Sequence, residues 1–198
     1  MNILIACEFS GRVREAFRKK GHNAWSCDLL PADDNSPYHL KGDVFDYINS
    51  DVVDMWDMMI AFPPCTHLAG SGARWFKDKQ AEQAEALAFI QRLLDQPITK
   101  IALENPVGII STRIRKPDQI IQPYQFGEDA SKRTCLWLKD LPKLVPTKLI
   151  EPRIVNGKKL WANQTPSGQN KLGPSADRWK LRSITYQGIA DAMAEQWG

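Results

Sequence analysis

Five consecutive segments in the first half of the chain stop or start on residues that packing alone does not explain. This recurring punctuation constrains the fold more than any single motif. Residues 3–7 run into Glu8-Phe9-Ser10-Gly11, and residues 23–29 carry Asp28 near their end. Asp43 opens the segment 43–48, residues 58–62 give way to Pro63-Pro64-Cys65, and residues 100–103 meet Glu104-Asn105-Pro106. Helical patterns alternate with these runs. Val13 and Phe17 stand four apart within residues 11–20, which close on Lys19-Lys20-Gly21. Residues 77–95 build an apolar face from Ala81, Ala84, Leu87, Ala88, Ile90, Leu93 and Leu94. Short apolar strands alternating with amphipathic helices predict an α/β fold with a mainly parallel sheet. In such sheets ligands sit beyond the carboxyl ends of the strands, where these polar and reactive residues fall.

After residue 106 the texture changes. Residues 124–126 and 134–138 are predicted as antiparallel strands around a turn at 127–130. Residues 142–182 are rich in Pro, Gly, Asn and Lys with little periodicity, which predicts loops, and residues 184–197 form a last helix. A length of 198 residues suits one domain, 1–198, with 144–182 as a loop-rich basic insert and minimal substrate-recognition region.

Charge is unevenly spread. The net charge is +3, yet residues 111–182 hold 15 Lys and Arg against six Asp and Glu. A basic C-terminal half suits a polyanionic partner; a merely solvated basic face is the plainer alternative. Trp161 and Trp179 among Lys158, Lys159, Lys171, Arg178, Lys180 and Arg182 form an aromatic and basic mixture suited to a nucleic-acid strand. As core anchors in a loop-rich stretch they would look the same.

Other classes are disfavoured. The opening apolar run is stopped by Glu8 and has no basic leader, so it reads as a buried strand and not a secretory signal. No apolar stretch reaches the roughly 18–20 residues that span a bilayer. The expectation is therefore a soluble, cytoplasmic protein without membrane contact. Cys7, Cys27, Cys65 and Cys135 include no CxxC pair, and His22, His39 and His67 complete no ligand pattern, so no metal is expected.

The candidate chemistry lies at the strand ends. A glycine turn after the first strand lets backbone approach a ligand, and an acid one strand later accepts ribose hydroxyls. Gly11 as a helix start and Asp28 as a turn residue remain open readings. Pro63-Pro64 stiffens a strand exit and aims the side chain that follows. Cys65 is thus expected to be a reactive thiol with a pKa lowered by basic neighbours, whereas Cys7, Cys27 and Cys135 read as small buried apolar groups. Glu104-Asn105-Pro106 is a capping turn or a polar site.

In this order Phe9-Ser10-Gly11, Asp28, Gly42-Asp43, Pro64-Cys65, Glu104-Asn105 and Arg133 resemble the DNA cytosine-C5 methyltransferases over residues 1 to about 140. The resemblance implies a Rossmann-like fold with helices on both faces of the sheet and S-adenosylmethionine as cofactor. It implies cofactor contacts at Phe9, Ser10, Gly11, Asp28, Asp43, Phe62 and Pro64. It makes Cys65 the nucleophile toward cytosine C6, with Glu104 and Arg133 as catalytic partners. Asn105, Gly72, Arg74 and Lys132 would meet the DNA, whether duplex, short or single-stranded.

The sequence departs from the family in several places. Pro-Cys-Thr replaces Pro-Cys-Gln, and Glu-Asn-Pro replaces Glu-Asn-Val. Ser131-Lys132-Arg133-Thr134-Cys135 keeps one of two expected arginines, and no separate recognition domain is evident. A silent nucleic-acid-binding module with this fold, or a methylase of another pyrimidine or of an amino group, are the alternative functions.

Overall fold

The computed structural model describes residues 1–48 and 56–198, with the side chains of 73–75 outside that description. Among the described residues a seven-stranded sheet forms the spine, in the order β3-β2-β1-β4-β5-β7-β6. The strands are β1 (Asn2–Ala6), β2 (Asn23–Asp28), β3 (His39–Lys41), β4 (Met58–Ala61), β5 (Lys100–Pro106), β6 (Gln119–Ile121) and β7 (Thr134–Lys139). The neighbours β3, β2, β1, β4 and β5 run parallel, and β7 enters antiparallel between β5 and β6. Strand order reverses beside β1, and such a switch point opens a crevice at the carboxyl ends.

Side chains of successive strand residues point to opposite faces, and both faces of this sheet are covered. Ile3 and Ile5 of β1 pack with Val13 and Phe17 of α1 (Arg12–Lys19) and with Met193 and Trp197 of α6 (Gln187–Trp197). Leu4 and Ala6 face the other way, toward Phe45 of α2 (Val44–Ile48) and Ile90 and Leu93 of α3 (Gln80–Leu94). A short α4 (Ile110–Arg113) follows β5. The predicted α/β architecture, mainly parallel with helices on both faces, is what forms.

The structure corrects the sequence reading in the second half. Residues 124–126 are not a strand: Pro123–Gln125 is a 3₁₀ turn opened by proline, and Gln122 N–H donates to Gln125 Oε1 at 2.7 Å. The antiparallel partners of β7 are β5 and β6. Residues 142–182 are not all loop. They include a hairpin of β8 (Arg153–Val155) and β9 (Lys158–Leu160), turned by Asn156 and Gly157 at φ 51° and 74°. They also lead into α5 (Arg178–Ser183). These pieces are too short for a periodicity of 2 or 3.6 to show. No helix among the described residues is long and apolar enough to cross a membrane.

Candidate active site

Beyond the carboxyl ends of β1, β2, β4 and β5 lies a cavity of about 510 Å³. One end is built locally. Gly11, at φ 71°, turns the chain from β1 into α1, and a Cβ there would collide with the Arg14 guanidinium and Asp34. Glu8 is 4% exposed and folds under this turn. Its Oε1 accepts the Val13 N–H at 2.8 Å and its Oε2 the Arg14 N–H at 3.2 Å. A carboxylate therefore already occupies the donors that a helix N-terminus offers to an anion. Burial raises the Glu8 pKa to about 7, against these hydrogen bonds and the Arg14 charge, which lower it.

Phe9, Asp28, Leu30, Phe62 and Pro64 line this end. Asp28 accepts the Leu30 N–H at 2.9 Å, and burial raises its pKa. Ser10 and Gly11, expected among the cofactor contacts, shape the turn instead of lining the cavity. The Ser10 hydroxyl donates to Glu8 at 3.3 Å. Asp43 also lies off the wall, where its Oδ1 accepts the Phe45 N–H at 2.9 Å and caps α2. Cys7, read from sequence as a packed apolar group, lines the cavity at φ 58°. Burial, reinforced by Asp28, pushes its thiol far up.

The other end is assembled from distant segments. Cys65 follows the Pro-Pro exit of β4, and its carbonyl accepts the Leu68 and Ala69 N–H groups at 3.0 and 2.9 Å, closing a tight turn. The turn is stitched to the chain after β5. Gly70 N–H donates to Val107 O, and Ile109 N–H donates to Leu68 O, each at 3.0 Å. Gly108 allows that approach, because a Cβ there would strike the Leu68 carbonyl. Glu104, at the end of β5, and Lys132, just before β7, share the wall with Cys65 and Gly72.

Asn105, expected to meet substrate, is 1% exposed and lies beneath the wall. Its Nδ2 donates to the Pro63 carbonyl at 2.8 Å, so it holds the Cys65 loop in place. Arg133 does not line this cavity but opens onto an adjoining cleft. The expected contact Arg74 lies outside the described side chains.

The electrostatics correct one expectation. The Cys65 thiol is not lowered: burial and the neighbouring Glu104 raise its pKa, outweighing Lys132 and Arg182. Burial likewise raises the Glu104 pKa against the pull of Lys132 and a hydrogen bond with Thr134. Both groups thus favour their neutral forms beside two cations. A neutral carboxyl can donate a hydrogen bond, and the cations stand ready to stabilise a thiolate once it forms.

The seven-stranded sheet, with antiparallel β7 between β5 and β6, is the part of the chain that a fold comparison tests first. The fold is a Rossmann-like α/β fold. A solved structure of a candidate DNA modification methyltransferase, encoded within a prophage of E. coli, matches with a TM-score of 0.52 at 14% identity. The match covers 78% of this chain and 53% of that one, so the chain spans about half the length of that neighbour. No family model matches the sequence, and none of the curated proteins does.

Within this fold, α5 supplies residues that strand-end reasoning did not place in the site. Trp179, Arg182 and Ser183 line the cavity beside Phe9 and Cys65. Trp179 stands edge-on to Phe9 with centroids 6.3 Å apart, and Lys180 pairs with Asp33. Lys132 Nζ donates to the Arg182 carbonyl at 3.0 Å. The basic and aromatic run at 178–182 was the only signal, and nothing local tells which side of the sheet such a run returns to. No group of three or more His, Cys, Asp or Glu suited to a metal occurs among the described residues.

Proposed function

We propose that the chain transfers a methyl group from S-adenosylmethionine to C5 of cytosine in DNA, with Cys65 as nucleophile. The observation that carries this reading is the shared cavity. Cys65, Glu104 and Lys132 stand at one end of it, and Phe9, Asp28 and Phe62 at the other. The neighbour with the same fold is itself a candidate DNA modification methyltransferase.

The cofactor end suits a cationic nucleoside without phosphates. A pyrophosphate at the start of α1 would meet the buried Glu8 carboxyl, which already takes the Val13 and Arg14 N–H groups. That disfavours dinucleotides, while Asp28 suits a ribose diol and a positively charged ligand. The cavity volume, about 510 Å³, falls in the ordinary range for cofactor sites. S-adenosylmethionine, when bound, supplies an electrophilic methyl carbon on a sulfonium.

Cytosine C5 is a weak nucleophile until something adds to C6. Cys65 gives up its proton to solvent, and Sγ bonds to C6 while the C5–C6 π electrons become available at C5. Glu104 in its neutral form shares its proton with N3 and offsets the charge that the ring gains. Lys132 and Arg182 oppose the cost of forming a thiolate in a half-buried position. After C5 is methylated it loses its proton to a base, the electrons reform the C5–C6 bond, and Sγ leaves as thiolate.

The test is to incubate wild type and Cys65→Ala with labelled S-adenosylmethionine and DNA containing 5-fluorocytosine. Fluorine at C5 blocks the final proton loss, so wild type should accumulate a covalent adduct and Cys65→Ala should form none. Methyl transfer to ordinary DNA that survives Cys65→Ala would overturn the C5 mechanism in favour of an amino-group target. Failure of wild type to bind S-adenosylmethionine favours a silent nucleic-acid-binding module.

A further inference from the structure

Beside the catalytic cavity runs a second cleft, of about 460 Å³. The two share Ala69, Ser71, Pro106, Lys132 and Arg182 as a common wall. Four cations converge on the outer cleft: Arg12, Lys132, Arg133 and Arg182. No Asp or Glu lines it, and none of the four forms an ion pair among the described residues. The Arg12 and Lys132 side chains donate to backbone carbonyls, of Thr185 at 3.1 Å and Arg182 at 3.0 Å.

The four cations come from separate places in the chain: the start of α1, the approach to β7 and the end of α5. Glu104, across the shared wall, offsets one of the four, and gathering the remaining like charges is unfavourable unless an anion completes the group. Apolar side chains interleave with them. Val107 is 42% and Leu181 51% exposed, and both line the cleft.

We propose that this outer cleft binds an unpaired polynucleotide strand, phosphates on the four cations and the neighbouring base against Val107 and Leu181, while the target base enters the inner cavity. The proposal deepens the methyl-transfer reading and rests on it only for which base enters that cavity. Phosphates are common to a strand and to a free nucleotide such as dCTP. The apolar wall favours the strand, because a triphosphate alone has no base to lay against a second cleft. It also favours an unpaired strand, since a duplex keeps base faces stacked inside, whereas a single strand offers them to apolar and cationic surfaces.

The probe is a fluorescein-labelled oligothymidylate, which contains no cytosine, read by anisotropy without cofactor. Wild type is compared with Arg133→Ala, with the Arg12→Ala, Arg133→Ala pair, and with Lys19→Ala as an exposed control cation on α1. The pair should weaken binding by about tenfold or more, and lower the slope of log affinity against log salt by about 0.7 for each phosphate no longer neutralised. Arg133→Ala, an exposed change, should lower the slope by one such step, and Lys19→Ala should leave it unchanged.

Unchanged affinity and slope in both Arg133 variants overturn the proposal. So does tighter binding of dCTP, or of the matching duplex, than of the single strand. Strand binding that follows these rules while Cys65 forms no adduct sinks the cytosine reading alone. A Cys65 adduct with a flat Arg133 response sinks the cleft assignment alone.

Discussion

The two ends of one cavity carry opposite charge. At the end built by β1 and β2, burial, Asp28, Cys27 and Asp43 all raise the Cys7 thiol. At the other end Cys65 has one acid, Glu104, set against Lys132 and Arg182. Both thiols sit at strand ends and both are raised by burial, yet only one has the means to be ionised. Position at a strand end makes a cysteine reachable, and the charges brought in by other segments make it usable. On the proposed reading the acid end takes the cationic cofactor and the basic end the polyanionic substrate.

The sharpest way to break this comparison is at Glu104. If it works as a neutral donor to the ring, Glu104→Gln keeps the shape but cannot pass a proton. A loss of about 10²–10⁴-fold in single-turnover methyl transfer is expected. Retention of the wild-type rate would show that the basic end acts without its one acid.

At the acid end the decisive group is Glu8. Its pKa in the folded chain is about 7, above the ordinary value of 4.5, because burial disfavours the carboxylate. The folded state therefore holds this proton more tightly than the unfolded state. The associated stability is complete below pH 4.5 and is lost as pH rises through 7. Across that window the loss is about 3 kcal/mol. Urea midpoints measured from about pH 5 to 8 should fall for wild type and stay flatter for Glu8→Gln. Parallel curves would place the proton elsewhere.

Asn105 stands between the two ends. Its bond to the Pro63 carbonyl fixes the strand exit that places Phe62 and Cys65 on the cavity wall. Asn105→Ala leaves that carbonyl without its partner and should cost about 1–3 kcal/mol in chemical denaturation. Faster alkylation of Cys65 should accompany the loss. Normal stability with slowed catalysis would instead make Asn105 a direct substrate contact.

The acid end was more legible in the sequence than the basic end, for a physical reason. Gly11, Asp28 and the Pro63-Pro64 exit act within a few residues of their own strands, so spacing and turn chemistry reveal them. Even there, spacing could not tell lining from support. Ser10 and Asp43 have the residue types of ligand contacts, but Ser10 is turned to the Glu8 carboxyl and Asp43 to a helix amide. The basic end depends on where α5 lands. Arg182 lies 117 positions after Cys65 in the chain, and the sequence of α5 is a short charged stretch without period. The Cys65 pKa runs opposite to the sequence expectation for a related reason: basic residues are visible in a sequence, whereas burial is a property of the assembled wall.

The smallest expected effect tests what that assembled wall does. Lys132 and Arg182 both lower the Cys65 pKa, Lys132 more, though burial and Glu104 keep the net shift upward. Replacing either with methionine removes the charge while keeping an apolar stem. The pH midpoint of Cys65 alkylation by iodoacetamide, assigned by mass spectrometry, should move up in Lys132→Met and less in the exposed Arg182→Met. Lys132→Arg should restore the wild-type midpoint. Cys7 serves as the internal control: burial and Asp28 push its thiol far up, so its slow alkylation at a fixed pH should not change. If the Cys7 alkylation rate at fixed pH changed together with the Cys65 midpoint, the substitutions would be acting through a general change in the cavity and not through charge. If Cys65 moved alone, the basic end would be doing to one thiol what the acid end cannot do to the other.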